Sequence, residues 1–392
     1  MQKLKKILIV GGGFAGVKAA LELAGDPRVS VTLVSDRPIF RYYPALYHSA
    51  TGGSSMESTI PLEQIFAGKP VTIVQAMATK LDRKNRLIIT QDAQKLSFDI
   101  LILALGSQTN YFGIKGLAEF SYGIKSLEDA EQLKHHLHQQ LIDKKAPDLN
   151  YVIVGGGPTG VELAGALSAY LRDMCRHHGI GQPTISIDLV EAAPHVLPRM
   201  PLSFSKHVER RLQKLGVTLY LNQKVQAETA NDLVVNGKTI KTQTVIWTAG
   251  VANNDFFAAN SFKLSAHGKV VVDQYLQAEP DIYVLGDNAD TPYAGMAQTA
   301  LNDAVFMGRH IMHVIDDEPA KPYKPKQPTY VIPVGPYWAA VLWGKVQILG
   351  GFGWLLRRAA DLLGYHDILP LLSTLGVWFA DFRHEDDCPV CK

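Results

Sequence analysis

KILIVGGGFAGVKAALELA (Lys6–Ala24) and NYVIVGGGPTGVELAGALS (Asn150–Ser168) are one device written twice in the same chain. Each joins a short apolar run, a glycine cluster and a stretch of helical periodicity. Val17, Ala20, Leu21 and Ala24 share a helix face in the first copy; Val161, Ala164, Gly165 and Ser168 do so in the second. A second apolar run follows each helix, Val29–Val34 and Thr184–Val190. Strand, glycine turn, helix and strand make the parallel α/β unit.

The glycines are spaced G-x-G-x-x-G, at Gly11, Gly13 and Gly16 and again at Gly155, Gly157 and Gly160. The first permits a tight turn, the second lets backbone approach a pyrophosphate, and the third lets helix pack on strand. The helix N-terminus then offers N–H groups and a positive dipole end to phosphates. Two such units predict an α/β chain with two Rossmann-like dinucleotide-binding domains. The second strand of the second unit ends at Glu191, whose carboxylate suits ribose hydroxyls and repels a 2′-phosphate. That favours NADH over NADPH. In the first unit the strand ends at Ser35 with Asp36 next. Asp36 is the expected ribose acid, and Ser35 is the alternative.

Working outward, 392 residues exceed one ordinary core, and 47% hydrophobic with 19% charged residues is a globular composition. Basic and acidic residues number 39 and 37, for a net charge of +2, which excludes nucleic acid as the main partner. Lys3, Lys5 and Lys6 before Ile7–Val10 imitate an export signal, but the glycine cluster breaks the apolar run. The longest uncharged stretch, Gln327–Gly344, carries three prolines, so no transmembrane helix is expected.

Gly286-Asp287 separates two dinucleotides from one duplicated scaffold. An aspartate after strand Ile282–Leu285 and ahead of a helix suits the ribityl chain of a flavin, and the helix dipole suits a reduced flavin's negative charge. An Asp-Asn turn capping a helix is the plainer reading.

GGGFAG, ALGSQTNYFG (Ala104–Gly113), GGGPTGVE (Gly155–Glu162), IWTAG (Ile246–Gly250), YVLGD (Tyr283–Asp287) and AQTA (Ala297–Ala300) follow in an order that resembles type II NADH dehydrogenases. The resemblance covers roughly residues 5–315. It implies a glutathione-reductase-like arrangement in which a single-chain FAD enzyme oxidises NADH and reduces a membrane quinone without pumping protons. Its FAD contacts would be Gly11, Gly13, Phe14, Ala15, Gly16, Asp36, Ala78, Gly106, Asp287 and Ala297. Its NADH contacts would be Gly155, Gly157, Gly160, Glu191 and Gly250. Glu162 matches a glutamate that positions the nicotinamide or relays a proton; a glutamate there also simply suits the helix dipole.

The family's quinone motif, A-Q-x-A-x-Q-Q, reads Ala297-Gln298-Thr299-Ala300-Leu301-Asn302-Asp303 here. Gln298 matches. Asn302 keeps an amide, whereas ionised Asp303 only accepts. In Phe40–Tyr47, Pro44, Leu46 and Tyr47 fit a family segment near the flavin, and Arg41, Tyr42 and Tyr43 differ. Tyr43 and Pro44 join Gln298 and Asn302 as the expected quinone contacts, with packing against the domain as the other reading of the aromatics.

Cysteine placement separates this chain from disulfide-using relatives. Residues 40–60 hold none; Cys175 falls mid-helix, and Cys388 and Cys391 end the chain as half a zinc site. No metal centre is expected.

The expected division is 1–114 for the first part of the FAD domain, 115–250 for the NADH domain, 251–326 for the rest of the FAD domain, and 327–392 for a small C-terminal region. In that region Leu355, Leu356, Ala359, Ala360, Leu362 and Leu363 share one helix side, with Arg357, Arg358 and Asp361 opposite. Ile368, Leu371, Leu372, Leu375, Trp378, Phe379 and Phe382 form a second apolar face, opposed by Ser373, Thr374 and Asp381. Two amphipathic helices imply attachment to the cytoplasmic face of a membrane, where a quinone partner resides, or else docking on the body or a homodimer face. The alternatives in function are a reductase of another acceptor, such as a small redox protein or a sulfur compound, and a non-catalytic nucleotide-binding protein. Stopped-flow absorbance tests the cofactor reading: NADH bleaches a bound flavin, and a far better response to NADPH overturns the role given to Glu191.

Overall fold

The computed structural model describes residues 4–143, 148, 150–180 and 185–380. Cys388, Cys391, Asp381 and Phe382 lie outside them. Thr184 lies outside them too; over the described residues both glycine units fold as strand, turn, helix and strand. Strand Lys5–Val10, apolar and buried from Ile7 onward, sits in a six-stranded sheet between Ile100–Leu103 and Val29–Ser35. Ile7 pairs with Val31 on one side and Ile100 on the other, both in parallel. Val71–Gln75 extends one end, and Ile282–Val284 with Gln277–Glu279 extends the other. The second sheet runs Val217–Leu221, Ser186–Glu191, Asn150–Val154, Thr244–Trp247, all parallel. Each glycine turn therefore leaves the carboxyl end of a central strand, where strand order reverses and a crevice opens.

Sterics explain the glycines. Gly11 has φ +123° and Gly155 has φ +115°, conformations that suit only a residue without Cβ. A Cβ on Gly16 would lie 1.9 Å from the Gly11 carbonyl oxygen, and one on Gly160 would lie 1.8 Å from that of Gly155. Helix Phe14–Leu23 also packs on helix Ala297–Ile315, where Gly308 brings the backbones together beside Glu22.

Two passages connect the sheets, and they run side by side: Ser107–Thr109 pairs antiparallel with Val251–Asn253. The Trp247 indole donates to the Asn110 carbonyl at 2.9 Å. A Cβ on Gly250 would lie 2.2 Å from that same oxygen, so a packing reason fixes this glycine.

The C-terminal region is not detached. Its antiparallel sheet, Tyr330–Pro333, Ala339–Trp343 and Val346–Gly350, adds Ile332, Val334, Ala340 and Leu342 to the core of the second sheet. Helices Gly351–His366 and Leu371–Ala380 then give Tyr365 and Val377, and the turn between them Ile368 and Leu369, to the core of the first. The polar side of the first helix faces inward: Arg357 and Arg358 are each 8% exposed. Phe352, Leu355 and Leu363 face outward, as do Leu371, Leu372 and Phe379 of the second helix. Ile368 and Thr374 are buried, so the second face differs from the sequence reading at those positions. Each inward polar group has buried partners, which reverses the usual preference. Arg358 donates to the Trp378 carbonyl at 2.9 Å and lies over its ring at 4.4 Å, while the Trp378 indole donates back to the Arg358 carbonyl at 2.8 Å.

Among the described residues, no helix is long and apolar enough to cross a membrane. Away from the sheets' carboxyl ends, Glu228 is 4% exposed and its Oε2 accepts no hydrogen bond. Burial pushes its carboxyl from 4.5 up to about 8. The stability tied to that proton is full below the unfolded value and is lost as pH rises to about 8. Glu228→Gln imitates the protonated acid. It should match the wild type in thermal melts at pH 5 and exceed it at pH 9 by roughly 2–4 °C or more; a constant difference at both pH values contradicts this.

Candidate active site

A cleft of about 670 Å³ opens where the first glycine turn, the strand ends of the six-stranded sheet and the tail helix meet. It is bordered by Gly11, Gly13, Phe14 and Ala15 from the turn, Asp36, Ala78 and Gly106 from following strand ends, and Asp287 and Ala297 from the far side. Tyr43, Pro44 and Gln298 close another wall, and Glu162 enters from the second glycine helix, Pro158–His177. Gly16 stands behind the turn, pressed on Gly11. The second unit reaches the cleft through Pro158, Thr159 and Glu162, whereas Gly155, Gly157, Gly160, Glu191 and Gly250 lie outside its lining.

The residues fit a dinucleotide. A Cβ placed on Gly13 or Gly106 would meet no atom within 4 Å, so backbone there faces open space. At the second turn, Glu191 Oε2 accepts from Gly156 N at 2.5 Å and Oε1 from Ala193 N at 2.7 Å. The carboxylate is fixed beside the glycines with an acceptor site left on each oxygen. Ser35 is the corresponding strand-terminal residue of the first unit, and its buried Oγ lies against Gly12. Asp36 is one residue further on, and its exposed carboxylate borders the cleft.

Two contributors escaped the sequence reading. Asn288 clamps Gly106 in both directions: its Oδ1 accepts from Gly106 N at 2.9 Å, and its Nδ2 donates to Gly106 O at 2.8 Å. Lys125 donates to Ser107 Oγ at 3.3 Å, and that hydroxyl donates to Asp287 Oδ2 at 3.1 Å. Burial pulls the lysine below its ordinary value. The adjacency of Asn288 to Asp287 was a usable signal; nothing local marked Lys125.

The altered quinone motif divides. Gln298 borders the cleft and accepts from Thr329 N at 2.8 Å through Oε1. Asn302, expected beside it, does not border the cleft. Asp303 is fully buried, accepting from Gly286 N at 2.9 Å and from the Tyr323 hydroxyl. Burial pushes its carboxyl up to about 6 despite those bonds. It anchors the loop that carries Asp287. The paired aromatics divide too: Tyr42 is 4% exposed, its ring 4.2 Å from Tyr365, while Tyr43 is 42% exposed at the cleft with Arg41 over its ring.

Arg357 joins all parts. Its guanidinium donates to Asp361 Oδ2 at 2.7 Å, to the Pro44 carbonyl at 2.9 Å and to the Val331 carbonyl at 3.3 Å. Its Nη1 also lies 3.7 Å from Glu162 Oε1. Burial pushes the Glu162 carboxyl up to about 8, against the pull of Arg357. The sequence marked Arg357 only as the polar side of an amphipathic helix.

Comparison with known proteins agrees. The chain is 28% identical to the type II NADH:quinone oxidoreductase of Staphylococcus saprophyticus over 347 residues, 82% of this chain and 86% of that one. It is 27% identical to the protein of the same name from Staphylococcus aureus, with the same coverage. Among solved structures, NDH2 of Plasmodium falciparum in complex with NADH shares the fold at a TM-score of 0.87, 18% identity, and 97% and 98% coverage of the two chains. The sulfide:quinone oxidoreductase of Aquifex aeolicus matches at 0.79, 19% identity, and 91% and 90% coverage. The family model for pyridine nucleotide-disulphide oxidoreductases matches residues 5–304, the span that holds both glycine turns, Asp287 and Gln298, and the chain belongs to that family.

Proposed function

We propose that this chain is an NADH:quinone oxidoreductase of the type II kind, with FAD on the first glycine turn, NADH on the second and a quinone admitted beside Gln298. One observation carries the reading: a single cleft is bordered by the first glycine turn, Asp287, Gln298 and, from the second glycine helix, Glu162. The names of the staphylococcal relatives support it. Neither Asn302 nor Asp303 borders the cleft, so the replaced glutamine pair gives no argument for a different acceptor.

A bound flavin supplies the two-electron chemistry that takes hydride from NADH and passes electrons on. The chain contributes orientation, electrostatics and proton placement. Asp287, held by Ser107, would accept hydrogen bonds from the ribityl chain of a bound flavin, and Glu191 would receive the NADH ribose. Helix Ala297–Ile315 begins at the cleft, and its positive end favours negative charge there. Tyr43 and Pro44 wall the acceptor side against water. Glu162 carries a proton at neutral pH beside that wall, as a proton donor to the acceptor needs.

The outward stripe of Phe352, Leu355, Leu363, Leu371, Leu372 and Phe379 supports attachment to a membrane surface, which we place on the cytoplasmic side. Burying such side chains is worth about 1.5–3 kcal/mol each, so six supply on the order of 10 kcal/mol without a basic patch.

Purified protein should oxidise NADH with a soluble quinone analogue; absence of turnover with that pair overturns the reading. Glu162→Gln should lower quinone turnover about tenfold or more. The wild-type rate should fall as pH rises through about 8, where the acid loses its proton, and the variant should lack that limb. Truncating the tail would remove Arg357, so the membrane reading is tested with Leu371→Glu/Leu372→Glu, two exposed positions away from the cleft. This variant should stop sedimenting with phosphatidylglycerol vesicles while still oxidising NADH. Retained vesicle binding with a dimer converted to monomer assigns the stripe to a second copy instead.

A further inference from the structure

Reducing a quinone to a quinol consumes two electrons and two protons, whereas NADH brings two electrons and one proton as hydride. One proton per turnover therefore comes from water. We propose that it enters through His48 and Glu57 and crosses a small buried cavity to Asp361 at the cleft wall. This inference rests on the quinone-reducing function proposed above.

The cavity is separate from the cleft. It has room for about 10 Å³, close to the least that holds one water, and is bordered by His48, Glu57, Arg357, Arg358, Asp361 and the Tyr365 edge. Arg357 and Asp361 also border the main cleft, so these two side chains form the shared wall. At the outer end, His48 Nδ1 lies 3.3 Å from Glu57 Oε2. The His48 side chain is 23% exposed, whereas that of Glu57 is 5% exposed. The imidazole is the solvent-side member and the carboxyl the inner one. A Cβ on Gly53 would lie 2.3 Å from His48 Nδ1, so the absent side chain there leaves the ring its place. At the inner end, the Tyr42 hydroxyl donates to Asp361 Oδ1 at 3.3 Å, and Arg357 holds Oδ2.

Two guanidinium groups, Arg357 and Arg358, and two carboxyl groups, Glu57 and Asp361, border the cavity together with the His48 imidazole. The Tyr365 hydroxyl donates to the Glu57 carbonyl at 3.0 Å and so fixes the backbone from the tail side. A proton taken by the imidazole passes to the Glu57 carboxyl group, then to the enclosed water, then to Asp361, and from there replaces the proton that Glu162, on the other side of Arg357, gives the quinone oxygen. Each carrier receives one proton and releases one, so none is consumed. His48 and Glu57 are proton-delivery residues that act through Asp361; they touch neither NADH nor quinone.

The experiment compares two acceptors on the holoenzyme. Ferricyanide takes electrons alone, whereas a soluble ubiquinone analogue also takes protons. Glu57→Gln and His48→Gln should each slow NADH:quinone turnover fivefold or more and raise its solvent deuterium isotope effect. NADH:ferricyanide turnover should stay within twofold. Glu57→Asp should recover part of the quinone rate. Equal slowing with both acceptors, or no slowing with either, overturns the proton route. If Glu57→Gln does not fold, His48→Gln at the partly exposed position decides alone. A wild type active with ferricyanide and silent with the quinone overturns the quinone-reducing reading itself, and the route with it.

Discussion

The Arg357 guanidinium is where the molecule is tied together. It is buried, and a buried cation persists only when its donors are met. It meets the Asp361 carboxylate on its own helix, the Pro44 carbonyl from the first unit, the Val331 carbonyl from the C-terminal sheet, and the neighbourhood of Glu162 from the second unit. No two of those four lie on one contiguous element. The angle at which Glu162 meets the cleft, the course of the Pro44 loop and the direction of the tail helix are therefore one coupled choice.

That coupling decides the tail. An amphipathic helix normally lays its apolar stripe on the protein. Here the inward side carries two arginines and an aspartate, of which Arg357 and Asp361 also reach the Pro44 and Val331 carbonyls and the Tyr42 hydroxyl, and the apolar stripe is left outside. Turning the helix over would bury the leucines but take the Arg357 donors away from the Pro44 and Val331 carbonyls, and buried acceptors left without a donor are costly.

Legibility in the sequence followed distance along the chain. The two glycine turns, their strands and helices, and Asp287 were readable because each depends on neighbours within a few residues. Periodicity also gave the apolar stripe of the tail, but period alone does not say which side of a helix faces the core. Lys125 and Arg357 were invisible as site residues because their partners lie far away in the chain. Asn302 lies off the cleft for a related reason: a motif position names a residue, whereas the helix rotation that turns its neighbour Asp303 onto Gly286 and Tyr323 is tertiary. Ser35 and Asp36 stayed ambiguous because both end up near the first turn.

Strand order has a further consequence, for synthesis on the ribosome. All four strands of the second sheet lie between residues 150 and 247, so that sheet can close as soon as this stretch has emerged. The first sheet begins earlier but waits for Ile282–Val284 to pair with Ile100–Leu103, and Asp287 arrives later still. Until then Ile100–Leu103 is an open strand edge, the sort of surface that captures other chains. The unit that starts first finishes last, and its crevice becomes complete only after its neighbour has folded.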